Sequence, residues 1–114
     1  MMVSEKEAVL LRVYVKENDK WEGKPLHMAI VEEAHKRGLA GATVLRGVVG
    51  YGTSSEIHTT RLLELSSELP MVIEIVDWED KMDPFLDSVA EMMERGLVTK
   101  EKVQVMWYQS ARTD

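Results

Sequence analysis

Apolar residues in this chain fall into short runs with the alternation of strands, set apart by two longer blocks with the spacing of helices. Residues 8–15 (Ala-Val-Leu-Leu-Arg-Val-Tyr-Val) are rich in β-branched and apolar side chains, and the run is short, so it predicts a central strand. Residues 16–23 are polar apart from Trp21, and Lys24-Pro25 then places proline where a helix tolerates it, at its start. Leu26, Ala29, Ile30 and Ala34 recur at helical spacing through His35 and predict one buried stripe. Glu32 with Lys36 and Glu33 with Arg37 are acid-before-base pairs four apart, each worth roughly 0.2–0.5 kcal/mol on an exposed face. Gly38 predicts a left-handed cap.

Residues 44–49 predict a second strand. Gly47 interrupts it, which predicts a bulge or a place where another backbone or a ligand comes close. Gly50-Tyr51-Gly52 ends the strand in a hinge before a polar run over residues 53–61. Leu62, Leu63, Leu65 and Leu69 fit neither period, so a short strand and a turn of helix both stay open. Over residues 69–77, Met71, Ile73 and Ile75 alternate with Val72, Glu74 and Val76 in a third strand, with Glu74 marking a more polar face and Asp77 suited to N-capping. The second helix starts at Trp78 or at Asp83 and runs to Arg95. Pro84 fits the later start as its first residue and the earlier one only as an internal proline. Its buried stripe is Met82, Leu86, Val89, Ala90 and Met93, and Gly96 caps it. Val103, Val105 and Trp107 alternate in a fourth strand over residues 103–108, and residues 109–114 form a frayed tail.

The resulting order, β-α-β-β-α-β, predicts an α+β ferredoxin-like sandwich: a four-stranded antiparallel sheet with both helices on one face. One domain covers residues 1–114, with a long insertion between the second and third strands. Strands this apolar cannot leave the other sheet face wet, so self-association through that face is expected.

Composition narrows the function. The chain of 114 residues has no cysteine, which removes disulfides and thiolate metal sites. No apolar run is long enough for a membrane span or a secretory signal, so a soluble cytoplasmic protein without direct membrane insertion is expected. The net charge of -6 argues against nucleic acid as a partner, since that binding depends on a basic surface.

The motif Gly38-x-x-Gly41-x-Thr43-Val44, followed by Gly47 and Gly50-Tyr51-Gly52, resembles the helix-to-T-loop segment of the PII nitrogen-regulatory signalling proteins. Val72-Ile73-Glu74-Ile75-Val76 resembles their third strand. The chain is still more similar to an uncharacterised PII-like family, related to PII, that shares Lys20-Trp21-x-Gly23-Lys24-Pro25-Leu26, Gly38-Leu39-Ala40-Gly41-Ala42-Thr43-Val44 and Ile57-His58-Thr59. That resemblance covers nearly the whole chain. It implies a homotrimer that binds an adenine nucleotide, as regulatory ligand, in clefts between subunits. It also implies a mobile T-loop, residues 51–67, that docks on a protein partner such as a membrane transporter. On this resemblance Thr43, Gly50 and Gly52 surround the nucleotide. Thr53-Ser54 replace the glutamine that PII carries, which puts Ser54 in the same set. The glycine-rich phosphate loop of PII is reduced here to Gly96-Leu-Val-Thr-Lys100-Glu-Lys102, leaving Lys100 and Lys102 as phosphate partners and favouring ADP or AMP as much as ATP. Ser55, Glu56, His58 and Arg61 are the partner-binding residues of the loop.

Other features have plainer readings. Trp21 beside Lys20 and Lys24 could stack on a base or pack over a sheet edge. His27 and His35, eight apart on one helix, are separated by ~12 Å along the axis, too far to share a metal. Glu79, Asp80, Asp83, Asp87 and Glu91 read as a solvated helix face, and no catalytic constellation stands out, so a non-enzymatic protein that requires no metal is expected. The alternative is a trimer of the divalent-cation-tolerance type, which shares the architecture and binds metal.

Overall fold

The computed structural model describes residues 7–52, 57–59 and 68–109. In chain order the elements are β1 (Glu7–Lys16), a small hairpin of β2 (Lys20–Trp21) and β3 (Lys24–Pro25), α1 (Leu26–Lys36), β4 (Ala42–Arg46), a second small ladder of β5 (Val49–Gly50) and β6 (His58–Thr59), then β7 (Pro70–Asp77), α2 (Glu79–Met92) and β8 (Leu97–Gln104). The main sheet has the order β4-β7-β1-β8, with every neighbouring pair antiparallel. This is the expected ferredoxin-like α+β sandwich.

Alternation along the two central strands decides which face holds the core. Val9, Leu11, Val13 and Val15 of β1 and Met71, Ile73 and Ile75 of β7 point to the helix side and are buried. Against them α1 lays Leu26, Ala29, Ile30 and Ala34, the stripe its spacing predicts. A Schellman arrangement closes α1: Gly38, at φ 73°, donates its N–H to the His35 carbonyl at 3.1 Å, and Leu39 donates to the Ala34 carbonyl at 3.1 Å. Leu39 is itself buried, so the cap also anchors the chain to the core.

Several local expectations are corrected. The second strand covers Ala42–Arg46 rather than residues 44–49, because the residue that would pair with Gly47 is Pro70. The Gly47 N–H still donates to the Pro70 carbonyl at 2.7 Å, but proline has no N–H to return a bond, and the ladder stops. The fourth strand covers Leu97–Gln104 rather than residues 103–108. β1 offers pairing partners from Tyr14 (opposite Leu97) to Glu7 (opposite Gln104), and a ladder of that length outweighs the polarity of Thr99-Lys100-Glu101-Lys102. Those charges suit an edge strand, where they discourage pairing with a stray chain.

The second helix takes the earlier start and carries Pro84 inside it, but it ends at Met92 rather than Arg95. Met93 is already extended, so Gly96 lies beyond the helix and does not cap it. Its buried stripe is Met82, Phe85, Val89 and Met92. Leu86 and Met93 are only half-buried, and Ala90 is exposed. The helix is therefore turned by roughly 60° from the expected phase, with Met82 and Val89 common to both stripes, and Phe85, fully buried, becomes its main anchor. The hairpin β2–β3 was also hidden within the polar segment. Its turn, Glu22-Gly23, has positive φ at both residues (47° and 80°), the combination that closes a two-residue hairpin. Trp21 packs against the core from this hairpin, in agreement with the structural reading of that residue.

Phe85→Ala is expected to cost about 3–5 kcal/mol in urea unfolding, and Leu86→Ala clearly less. Equal losses at the two positions would contradict this helix phase.

Candidate functional site

The sheet face away from the helices carries the alternate residues of each strand. Leu10, Tyr14, Val72 and Val76 are half-buried there, and Leu45 and Leu97 are about half exposed, at 48 % and 55 %. Arg12 lies in the middle of this apolar ground. Its Nε donates to Glu74 Oε2 at 3.0 Å and its Nη1 to Glu101 Oε1 at 2.7 Å, so one guanidinium joins β7 and β8 across β1. The hydrogen bond to Glu74, then that to Glu101, raises the guanidinium above its ordinary value. A base whose folded value is raised keeps its stabilising contribution below its unfolded value, which for arginine means at every pH where the fold is stable.

A cavity lies at each end of this face. The larger, about 560 Å³, sits where β1 begins and β7 ends. Its floor is the segment 40–43 with Thr43, which pairs in register with Glu74. Its other walls include Trp78, Lys81, Trp107 and Tyr108. Asp77 gives this end its shape. It is buried, and instead of capping α2 it accepts the Ala40 N–H at Oδ2 (2.9 Å) and the Trp78 N–H at Oδ1 (2.7 Å). The carboxylate thus ties the end of β7 to the segment that follows α1, with Trp78 in the N-cap position.

The smaller cavity, about 430 Å³, sits where β1 ends and β7 begins, with Lys16, Gly50, Tyr51, Gly52, Pro70 and Arg95 among its lining. Gly50 and Glu68 line it from the two sides of residues 53–67, so this cavity lies at the base of the expected loop. A Cβ on Gly47 would meet Pro70 Cγ at 2.8 Å, and one on Gly50 would meet it at 3.0 Å. The expected close backbone approach at Gly47 is therefore to Pro70, which seats the start of the loop on the start of β7.

The residues expected to hold a nucleotide are thus divided. Thr43 belongs to the larger cavity, while Gly50 and Gly52 belong to the smaller one at the opposite end of the face. Lys100 and Lys102 line neither. They lie on β8 rather than in a phosphate loop, opposite Leu11 and Val9, so they face the helix side. There Lys100 Nζ is 3.5 Å from Glu79 and 3.6 Å from Asp83, which makes Glu79 and Asp83 partners of a strand lysine rather than simply a solvated face. Ser54, Ser55, Glu56 and Arg61 lie outside the described residues, as do Leu62, Leu63 and Leu65. His58 is placed through its backbone, opposite Gly50 in β6. Sequence reasoning passed over Arg12 and took Trp107 for a strand residue. A lone arginine inside an apolar strand was the available signal for the first. For Trp107 it was an aromatic pair, Trp107-Tyr108, just past Gln104, where β8 ends. Among the described residues no three His, Asp, Glu or Cys side chains converge as a metal site, and no helix is long and apolar enough to cross a membrane.

Comparison with known proteins agrees with this fold. A family model, DUF190 (uncharacterized ACR, COG1993), matches residues 8–105. A UPF0166 protein of Aquifex aeolicus is 43% identical over 98 residues, covering 86% of this chain and 92% of its own. Among solved structures, CPII of Thiomonas intermedia K12, a nitrogen regulatory PII-like protein bound to ADP, AMP and bicarbonate, shares the fold with a TM-score of 0.69 at 16% identity, over 90% of this chain and 91% of that one. The divalent ion tolerance protein CutA1 of Ehrlichia chaffeensis shares it with a TM-score of 0.57 at 11% identity, over 96% and 88%.

Gly47→Ala is expected to lower stability by about 1–3 kcal/mol through its clash with the Pro70 ring. Adding Pro70→Ala should return part of that loss, and strict additivity of the two in urea unfolding would show that the contact is not the cause.

Proposed function

From the premise that this chain belongs to the DUF190 family (uncharacterized ACR, COG1993), we propose that it is a PII-like signalling protein that binds an adenine nucleotide between the subunits of a homotrimer. It passes the bound state to a protein partner through the loop at residues 51–67. The reading is non-enzymatic and places the protein in the cytoplasm as one domain.

The observation that carries this reading is where the cavities lie. Both open on the one sheet face that the helices leave bare, and each is walled on one side by a single copy of the chain. Packing copies through this face would turn the half-walled cavities into clefts between subunits. It could also bring Thr43 of one copy toward the Gly50-Tyr51-Gly52 hinge of the next, which one chain alone keeps apart. CPII, with the same fold, is described with ADP, AMP and bicarbonate bound, which supports an adenine nucleotide as the ligand class. The smaller cavity touches both ends of the loop, so occupancy there would bear on the loop's position. Lys100 and Lys102 face the helix side of every copy, so they would reach a nucleotide in these clefts only around the edge of β8, and Lys100 only after leaving Glu79 and Asp83.

Calorimetry with ATP, ADP, AMP and cyclic nucleotides, with and without bicarbonate, tests the ligand. ADP or AMP is expected to bind, and Thr43→Ala to weaken it about tenfold by removing one hydrogen bond. A folded trimer that binds none of them overturns the nucleotide reading. Tight copper or zinc binding that disappears in His58→Ala would favour the divalent-cation alternative instead. Sedimentation tests the assembly separately: a trimer is expected at micromolar concentration, and Arg12→Glu, which gathers three carboxylates on the shared face, should release monomers.

A further inference from the structure

The larger cavity carries more aromatic surface than closing a sheet end requires. Trp107 leaves 59 % of its surface exposed, although an indole is the largest apolar side chain available to bury. Trp78 and Tyr108, both half-buried, line the same space. The opposite side is bare. Gly38 and Gly41 line it, and a Cβ on either would meet nothing within 4 Å. A volume of about 560 Å³ lies within the range of small-molecule sites, roughly 300–1,000 Å³.

The charges leave one group available. Asp77 is held by the amides of Ala40 and Trp78, and Glu74 by Arg12. Lys81 lines the cavity, and its ammonium makes no ion pair among the described residues. What remains to meet a ligand is a set of aromatic faces, the Thr43 hydroxyl and one cation. That combination suits a flat heteroaromatic ring joined to an anionic group.

Resting on the nucleotide reading above, we infer that Trp107 is the stacking face for the base and Lys81 the cation that meets the phosphate at this end of the cleft. The segment 105–108 therefore completes the subsite, in place of the lysines of β8. The larger cavity selects for a planar base, and the shortest phosphate chain already satisfies its single cation.

Tryptophan emission and calorimetry on the full chain test this together. AMP is expected to quench emission with the midpoint that calorimetry gives. Trp107→Phe should keep the affinity within about threefold while losing most of the quench. Trp107→Ala should weaken AMP by about tenfold or more. Lys81→Met should weaken AMP about fivefold and leave adenosine unchanged. If wild type binds AMP but Trp107→Phe quenches as fully as wild type, or Trp107→Ala binds as tightly, the inference is wrong and the nucleotide reading stands. If Trp107→Ala dissociates to monomers while Trp107→Phe retains the full quench, Trp107 belongs to the contact between copies and the inference is again overturned. If wild type binds no nucleotide at all, the inference and the reading it rests on fall together.

Discussion

β1 is hydrogen-bonded on both sides over most of its length, to β7 from Val9 to Lys16 and to β8 from Glu7 to Tyr14. That double pairing fixes where every other element can go. β8 is drawn to whichever residues face β1, even charged ones, so strand four begins several residues before its own hydrophobic pattern suggests. The helices must then cover the face on which Val9, Leu11, Val13 and Val15 emerge. The phase of α2 follows from the same demand, because Phe85 fills the space under the sheet better than the smaller residues beside it.

The opposite face obeys a different logic. It is apolar enough to need cover, yet it has Arg12 between two carboxylates at its centre. A half-exposed ion pair of this kind stabilises a lone subunit little. In the proposed assembly its use would lie in direction, since a second copy covering this face must satisfy the same charges and has few ways of doing so. Apolar ground with one oriented charge cluster supports association in a defined geometry better than an unbroken greasy patch would.

The two cavities occupy the ends of that face, where strands finish and chain direction changes. Each is shaped by one polar or rigid residue: Asp77 draws the Ala40 and Trp78 amides together at one end, and Pro70 stops the β4–β7 ladder at the other. The chain enters residues 53–67 after Gly52 and leaves them at Glu68, and both of these residues line the cavity beside Pro70.

Much of this was legible in the sequence. The order of elements, the buried stripe of α1, the Gly38 cap and the uncovered face all follow from local periodicity and the conformational freedom of single residues. These properties are set within a few positions of chain and do not depend on what packs against them. Trp21 was legible as one of two options, and only its neighbours chose between them. The boundaries of β4 and β8, the phase of α2, the side on which Lys100 and Lys102 emerge and the exposure of Trp107 were not legible. Each is set by a partner distant in sequence: Pro70 for Gly47, Tyr14 to Glu7 for β8, Glu79 and Asp83 for Lys100. Sequence alone determined the two helices, the four strands of the main sheet and the apolar character of the sheet face away from the helices, but neither of the two small ladders. Tertiary structure alone decided which residues meet in the cavities, because register between strands is a property of pairs, and a shift of one residue sends every side chain to the other face.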